Sequence, residues 1–180
     1  MQAIAKSAED VEAAHAAFTT LMHRHLDALY SYALRLSNSP ATAEDLVQDT
    51  WLQVWRKART FKPGKVMVTT WLHRILHNKF VDGLRRSKIQ QSEAPLDSVP
   101  EAVLGQTQDV AEASTLNLPL EQLQVNHRAV LLLKYAQGFS NPEIARITGS
   151  SVRAVESTLA RAKRALKNLL AESAKQEEAE

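Results

Sequence analysis

The chain has 180 residues, with 22 Lys and Arg against 20 Asp and Glu for a formal net charge of +2, and it has no cysteine. This length suffices for one medium domain or two small ones with cores of their own, and the missing thiols exclude a disulfide scaffold or a Cys-based zinc site while fitting a reducing compartment. No apolar run approaches a membrane span, and the opening MQAIAKSAEDVEAAHAAF is too polar for a signal peptide, so a cytoplasmic chain without direct membrane insertion is expected.

Only five glycines and long stretches of Ala, Leu, Glu, Lys and Arg predict an all-α chain. A first helix is expected over about residues 8–36, with His23 to His25 as the place where it would break. SNSP ends it: Ser39 caps and Pro40 opens a second helix that reaches about Ala58. In that helix Val47, Trp51, Val54 and Ala58 draw one stripe suited to a core. Asp45, Gln48, Asp49, Leu52 and Arg56 draw another, with Trp55 beside it. A solvated face has no need of Leu52, so the second stripe is a candidate surface for a partner protein. A charged surface with one stray leucine is the plainer alternative.

After the loop TFKPGKVMVTT a third helix is expected from Trp71, capped by Thr69 or Thr70, burying Leu72, Ile75, Leu76, Phe80 and Leu84. Arg85, Arg86 and Lys88 at its end suit the helix dipole, and the same cations could hold phosphates. His73 and His77 stand one turn apart, but Arg74 replaces the glutamate of a zincin and no carboxylate is placed as a third ligand. No metal site is expected.

Charge then changes sign along the chain. From Ile89 to Asn126 there is no Lys or Arg, while Glu93, Asp97, Glu101, Asp109, Glu112 and Glu121 are acidic; Arg128 to Lys167 is basic again. Within the acidic stretch, QQSEAPLDSVPEAVLGQTQD holds Pro95, Pro100 and Gly105 without a sustained period and reads as a linker. The expected division is residues 1–90, a linker over 91–117, and residues 118–180.

In the last part, Ser140 and Glu143 have capping-box spacing, Pro142 sits in the first turn, and Gly149 supplies a positive φ where that helix must stop. Ser150 or Ser151 can cap the next helix. Its apolar stripe runs Val152, Val155, Leu159, Ala162, Leu166, Leu169, leaving Arg153, Ser157, Arg161, Arg164 and Lys167 outside. Ala145, Gly149 and Val155 have the spacing of a helix-turn-helix. A helical hairpin with a solvated basic face is the plainer alternative; the capping box, turn glycine and basic outer face together favour DNA.

Taken in order, AEDLVQDTWLQVW, TTWLHRILHNKFVDGLRRSK, the acidic linker and the segment from Leu118 to Leu169 resemble a bacterial sigma factor of the extracytoplasmic-function group. The resemblance implies two small helical domains, a region 2 bundle and a region 4 helix-turn-helix, joined by a flexible acidic linker. It implies a promoter-specificity factor for core RNA polymerase, with no enzymatic activity, no cofactor and no small-molecule substrate. The family's polymerase-docking segment corresponds to Asp45, Gln48 and Asp49, with Leu52 and Trp55 beside them. Its minus-ten pattern is matched at Trp71, Leu72, Ile75, Asn78, Asp82, Arg85 and Arg86, which implies strand opening with one base flipped into a pocket of Asn78 and the loop Phe61 to Thr70. Lys62 and Lys65 would steady the displaced strand's phosphates.

The helix-turn-helix is implied to read the minus-thirty-five element through Arg153, Glu156, Ser157 and Arg161, with Lys163, Arg164 and Lys167 nearer the backbone. The linker, with Asp97, Glu101 and Asp109, is implied to thread the polymerase's RNA exit path. Members of the family are commonly held inactive by an anti-sigma protein, often at the membrane. Two other readings stand beside this one. A stand-alone helix-turn-helix regulator would leave the Asp45 to Trp55 face and the Asn78 to Arg86 helix unused. An enzyme has no nucleophile, phosphate loop or ligand cluster to support it.

Overall fold

A computed structural model describes residues 8–58, 67–93 and 119–177. The first turn of the chain sets the architecture. Helix α1 (Ala8–Ser37) stops where Asn38 takes a left-handed φ of 54° and its N–H bonds Leu34 O at 2.8 Å. Ser39 then caps α2 (Pro40–Lys57), its hydroxyl accepting from the Thr42 N–H at 3.3 Å. With so short a turn α2 runs back along α1, and Trp55 late in α2 meets His15 early in α1, ring centroids 4.8 Å apart. No break occurs at His23 to His25: α1 is continuous there, since the segment holds neither Pro nor Gly to interrupt it.

Helix α3 (Val68–Glu93) departs from expectation at both ends. It starts three residues before Trp71, with the Trp71 N–H already bonded to Met67 O at 3.1 Å, so Thr70 lies inside the helix and is buried rather than capping it. It continues to Glu93, past the boundary expected at residue 90. Leu72, Ile75, Leu76 and Phe80 are buried as expected, but Leu84 is 43% exposed, and so are its neighbours from Asp82 to Ser87. The distal half of α3 stands clear of the bundle. Ala58, expected on the core stripe of α2, is likewise exposed, just past the end of the helix.

The second helical unit opens with a 3-10 turn (Leu120–Gln122) and α4 (Val125–Leu131), which widens into a π turn (Leu132–Ala136). The Gln137 N–H reaches back to Leu132 O and that of Phe139 to Leu133 O, both at 3.0 Å, around Gly138 at φ 74°. Helix α5 (Asn141–Thr148) is closed at its start by the capping box: Ser140 N–H and Oγ donate to Glu143 Oε2 at 2.9 and 2.6 Å. Gly149, at φ 68°, ends it, and Ser151 caps α6 (Val152–Glu177) by accepting from the Ala154 N–H at 3.1 Å. On α6, Val155, Leu159 and Ala162 are buried and Leu166 and Leu169 half-buried. Val152, the first residue of α6, is 39% exposed.

The two units share one core. Helix α3 packs on α5, and the end of α1 packs on α4 and the π turn. Tyr32, Leu36, Leu72 and Leu76 from the first unit join Leu133, Phe139, Ile144 and Ile147 from the second in one buried cluster. The expected linker over 91–117 lies outside the described residues apart from the last turn of α3. Arg128, only 8% exposed, pins the junction: Nη1 donates to Leu36 O at 3.0 Å, and Nη2 to Glu121 O at 2.7 Å and Leu123 O at 3.3 Å. These carbonyls lie at or just past helix ends, where no following turn takes them up, and accept from the guanidinium. Arg128→Ala is expected to lower the unfolding free energy by about 2–3 kcal/mol, read from urea denaturation, because buried acceptors then lose their donor.

Candidate functional site

Three exposed surfaces carry the residues singled out in the sequence. On α2, Asp45, Gln48 and Asp49 are exposed, and Leu52 and Trp55 stay 48% and 44% exposed although both are large and apolar. These two side chains border a groove of about 690 Å³ whose opposite wall is α1, with Phe18, Met22, Leu26 and Tyr30. The α1 wall was missed by sequence reasoning, although its signal is plain: the four residues recur every fourth position and so stack along one helical edge. Phe18 sets its ring edge-on to both Trp51 and Trp55, at 5.8 and 5.1 Å, which fixes the groove's floor. The Trp51 indole N–H is buried there with no acceptor among the described residues. Asp27, Glu44 and Gln48 add polar groups to the lining.

Asp49 has a partner the sequence did not announce. Its Oδ2 lies 2.9 Å from Lys79 Nζ on α3, which ties the α2 face to the next surface. Both side chains are partly solvated, so the pair holds by less than about 1 kcal/mol and is easily exchanged.

On α3, Asn78, Arg85 and Arg86 are exposed and Trp71 is half-buried. Arg74, Asn78, Asp82 and Arg85 fall on one side of the helix, and Arg85 reaches Asp82 at a loose 3.9 Å. Lys62, Lys65 and nearly all of the expected base pocket lie outside the described residues, as does the side chain of Lys88.

The opposite side of α3 holds His73 and His77, 4% and 6% exposed. They form no ligand set: among the described residues no three His, Asp or Glu side chains gather for a metal ion. His73 Nδ1 is 2.9 Å from Thr69 O and Nε2 is 3.2 Å from the Gln137 side-chain amide. A carbonyl only accepts, so Nδ1 carries a proton, and a neutral ring needs the amide to turn its NH₂ toward Nε2. His77 Nδ1 pairs with the Tyr32 hydroxyl at 3.1 Å. Burial pushes His73 below its usual pKa, with hydrogen bonds to Thr69 and Gln137 working the other way, and pushes His77 down to about 4; burial raises that of Tyr32.

On α6, Arg153, Glu156, Ser157, Arg161, Lys163 and Arg164 are all exposed. Arg153, Ser157, Arg161 and Arg164 share one face, with Glu156 and Lys163 on its shoulder. The helix-turn-helix contact is built as its spacing implies, with Ala145 7% and Val155 1% exposed where α5 meets α6. Arg161 Nε donates to Ser157 O at 3.4 Å, and Lys163 Nζ sits 5.4 Å from the ring centre of Tyr135, itself 60% exposed. The arrangement offers guanidinium and hydroxyl groups on a helix of a width suited to a major groove.

Because His77 is neutral in the folded chain and has a lower pKa there than the usual 6.5, the unfolded chain binds the extra proton. Its contribution to stability is complete above about pH 6.5 and declines as pH falls toward 4. Between pH 7 and pH 5 the loss from His77 should be about 2 kcal/mol. Urea unfolding at the two pH values checks this, and His77→Gln should flatten the difference.

Comparison with known proteins matches residues 21–89 to Sigma-70 region 2 and residues 120–166 to Sigma-70, region 4. The chain is 36% identical over 154 residues to the ECF RNA polymerase sigma factor SigM of Mycobacterium tuberculosis, covering 86% of this chain and 77% of that one. It is 32% identical over 166 residues to the ECF RNA polymerase sigma factor SigE of Mycolicibacterium smegmatis, covering 89% of this chain and 64% of the relative. Among solved structures, the sigma factor RpoE in complex with the anti-sigma factor NepR from Bartonella quintana matches with TM-score 0.68 at 30% identity, over 85% of this chain and 96% of that one. CnrH in complex with the cytosolic domain of CnrY matches with TM-score 0.63 at 29% identity, over 89% and 93%.

Proposed function

The chain belongs to the extracytoplasmic-function sigma factors of bacterial RNA polymerase, and we propose that its three exposed surfaces divide that family's work between polymerase and promoter. It binds core RNA polymerase and directs it to specific promoters, acting as an initiation factor rather than an enzyme. One observation carries the assignment of roles: an α2 face that leaves Leu52 and Trp55 exposed stands in the same chain as two separate basic helices. A stand-alone DNA-binding regulator has no use for that face.

In this reading Asp45, Gln48, Asp49, Leu52 and Trp55 dock the polymerase. Its apolar parts supply contact area, and the carboxylates set register against cations on the partner. Trp71, Asn78, Arg85 and Arg86 engage the minus-ten element, Asn78 offering an amide to the edge of an unstacked base and the arginines holding phosphates. Lys62 and Lys65 join them as phosphate contacts. Arg153, Glu156, Ser157 and Arg161 meet the minus-thirty-five element, and Lys163 and Arg164 the backbone beside it.

Two relatives of solved structure are held by other proteins, RpoE by NepR and CnrH by the cytosolic domain of CnrY. This chain is accordingly under the control of an anti-sigma factor. Its place of action is the cytoplasm, where its polymerase is; no described helix is long and apolar enough to cross a membrane.

Asp49→Arg should weaken binding to core polymerase at least tenfold, about 1.4 kcal/mol, and abolish promoter-dependent run-off transcription, while helical content stays unchanged. Binding and initiation that survive it would remove the docking assignment. Arg153→Ala should reduce discrimination at one minus-thirty-five position by about 1–3 kcal/mol. Lys163→Ala should instead lower affinity for every sequence alike, and competition binding with single-base promoter variants tells the two behaviours apart.

A further inference from the structure

From Val152 to Ala171 helix α6 carries Arg153, Arg161, Lys163, Arg164 and Lys167 but a single carboxylate, Glu156. Glu156 is exposed and makes no ion pair or hydrogen bond among the described residues. Arg153, one turn before it, does not bridge to it, and Lys163 lies over the Tyr135 ring instead. Local helix physics gives the residue no role. It is the fifth residue of α6, past the first turn in which a carboxylate gains from the helix dipole, and the position four residues on, where a cation would pair with it, holds Ala160.

Its direction is set by the buried stripe. Val155, Leu159 and Ala162 turn toward α4 and α5. At about 100° per residue, Arg153, Ser157, Ala160 and Arg164 point most directly away from them, and Glu156 stands about 60° to one side of Arg153. In a helix-turn-helix the N-terminal residues of the second helix are those that reach base edges. Arg153 and Glu156 both lie there, about 4.5 Å apart along the axis.

A carboxylate on a surface that approaches DNA meets phosphates of its own sign. It offsets that repulsion only where it accepts a hydrogen bond, because it has no proton to give. In the major groove guanine shows two acceptors, N7 and O6, and thymine shows O4 beside a methyl group. Adenine sets its N6 amino group next to the N7 acceptor, whereas cytosine shows its N4 amino group without an acceptor of its own alongside. Cytosine is the base that meets a carboxylate with a donor and no opposing lone pair.

We propose that Glu156 is a specificity-determining residue that selects a cytosine in the minus-thirty-five element by accepting from its N4 amino group. The inference rests on the assignment of α6 to that element and adds the base that one side chain demands. Glutamine has the same length but presents a donor and an acceptor together, the combination that matches adenine N6 and N7. Glu156→Gln should therefore move the preference at that position from C toward A, and Glu156→Ala should level it.

The test uses the full chain reconstituted with core polymerase to select from a duplex library of random sequence, followed by competition binding with single-base variants of the retained sites. The parent should show one position in the upstream half of the motif where C is preferred over each other base by about fivefold or more, the low end of what a base-edge contact discriminates. The two substitutions should alter that position alone, with helical content and core binding as in the parent. A parent without a C-selective upstream position, or a preference for C that survives both substitutions, overturns the proposal. So does an Glu156→Ala chain that binds every sequence more tightly by the same factor, which makes the carboxylate a general repulsive group, or one that loses affinity for core polymerase. If the parent fails to bind core polymerase, the sigma reading fails, and the same library offered to the chain alone still judges Glu156; no motif in either selection overturns both.

Discussion

Helix α3 has to satisfy two demands at once, and most of the molecule follows from how it does so. One side buries Leu72, Leu76 and the neutral imidazoles of His73 and His77 against α1 and the second unit. The other side keeps Asn78 and a set of cations in water. Because the buried side includes polar rings rather than hydrocarbon alone, each ring must find a hydrogen-bonding partner, and those partners are supplied by different units: Tyr32 from α1, and Gln137 from the turn after α4. The requirement fixes the rotation of α3, and with it the direction in which Asn78 faces.

Much of this was legible in the sequence, and the reasons differ by element. Ser39 with Pro40, and Ser140 with Glu143 and Gly149, are short-range signals whose physics is complete within four to ten residues, and the helices begin and end where they indicate. The stripe Val155, Leu159, Ala162 was equally readable, because a helix packed on one side displays its period. Leu84 and Val152 break their stripes and stay exposed, which the local period does not reveal. The start of α3 was misplaced because Val68, Thr69 and Thr70 are β-branched and suit a cap or strand by propensity, and tertiary packing of Thr70 overrides that preference.

For the candidate surfaces, the exposed residues on α2, α3 and α6 stand where helical periodicity puts them, since exposure follows from lying off the apolar stripe. What periodicity does not contain is pairing between helices far apart in sequence. The α1 wall of the groove, the Arg128 pin and the histidine contacts all depend on which faces meet, and each joins residues separated by tens of positions. His73 and His77 show the limit most clearly: one turn apart, they suggested at most a chelate, and their actual partners are a carbonyl, an amide and a phenol.

The bridge between Asp49 and Lys79 joins the exposed face of α2 to the helix that carries Asn78. A cation that takes up the Asp49 carboxylate releases the Lys79 ammonium, one residue from Asn78, to solvent. The exchange runs in reverse as well: a phosphate that captures Lys79 leaves Asp49 free to attract a partner's cation. Groups that compete for either member of the pair are coupled through it to the same extent in both directions, by less than about 1 kcal/mol.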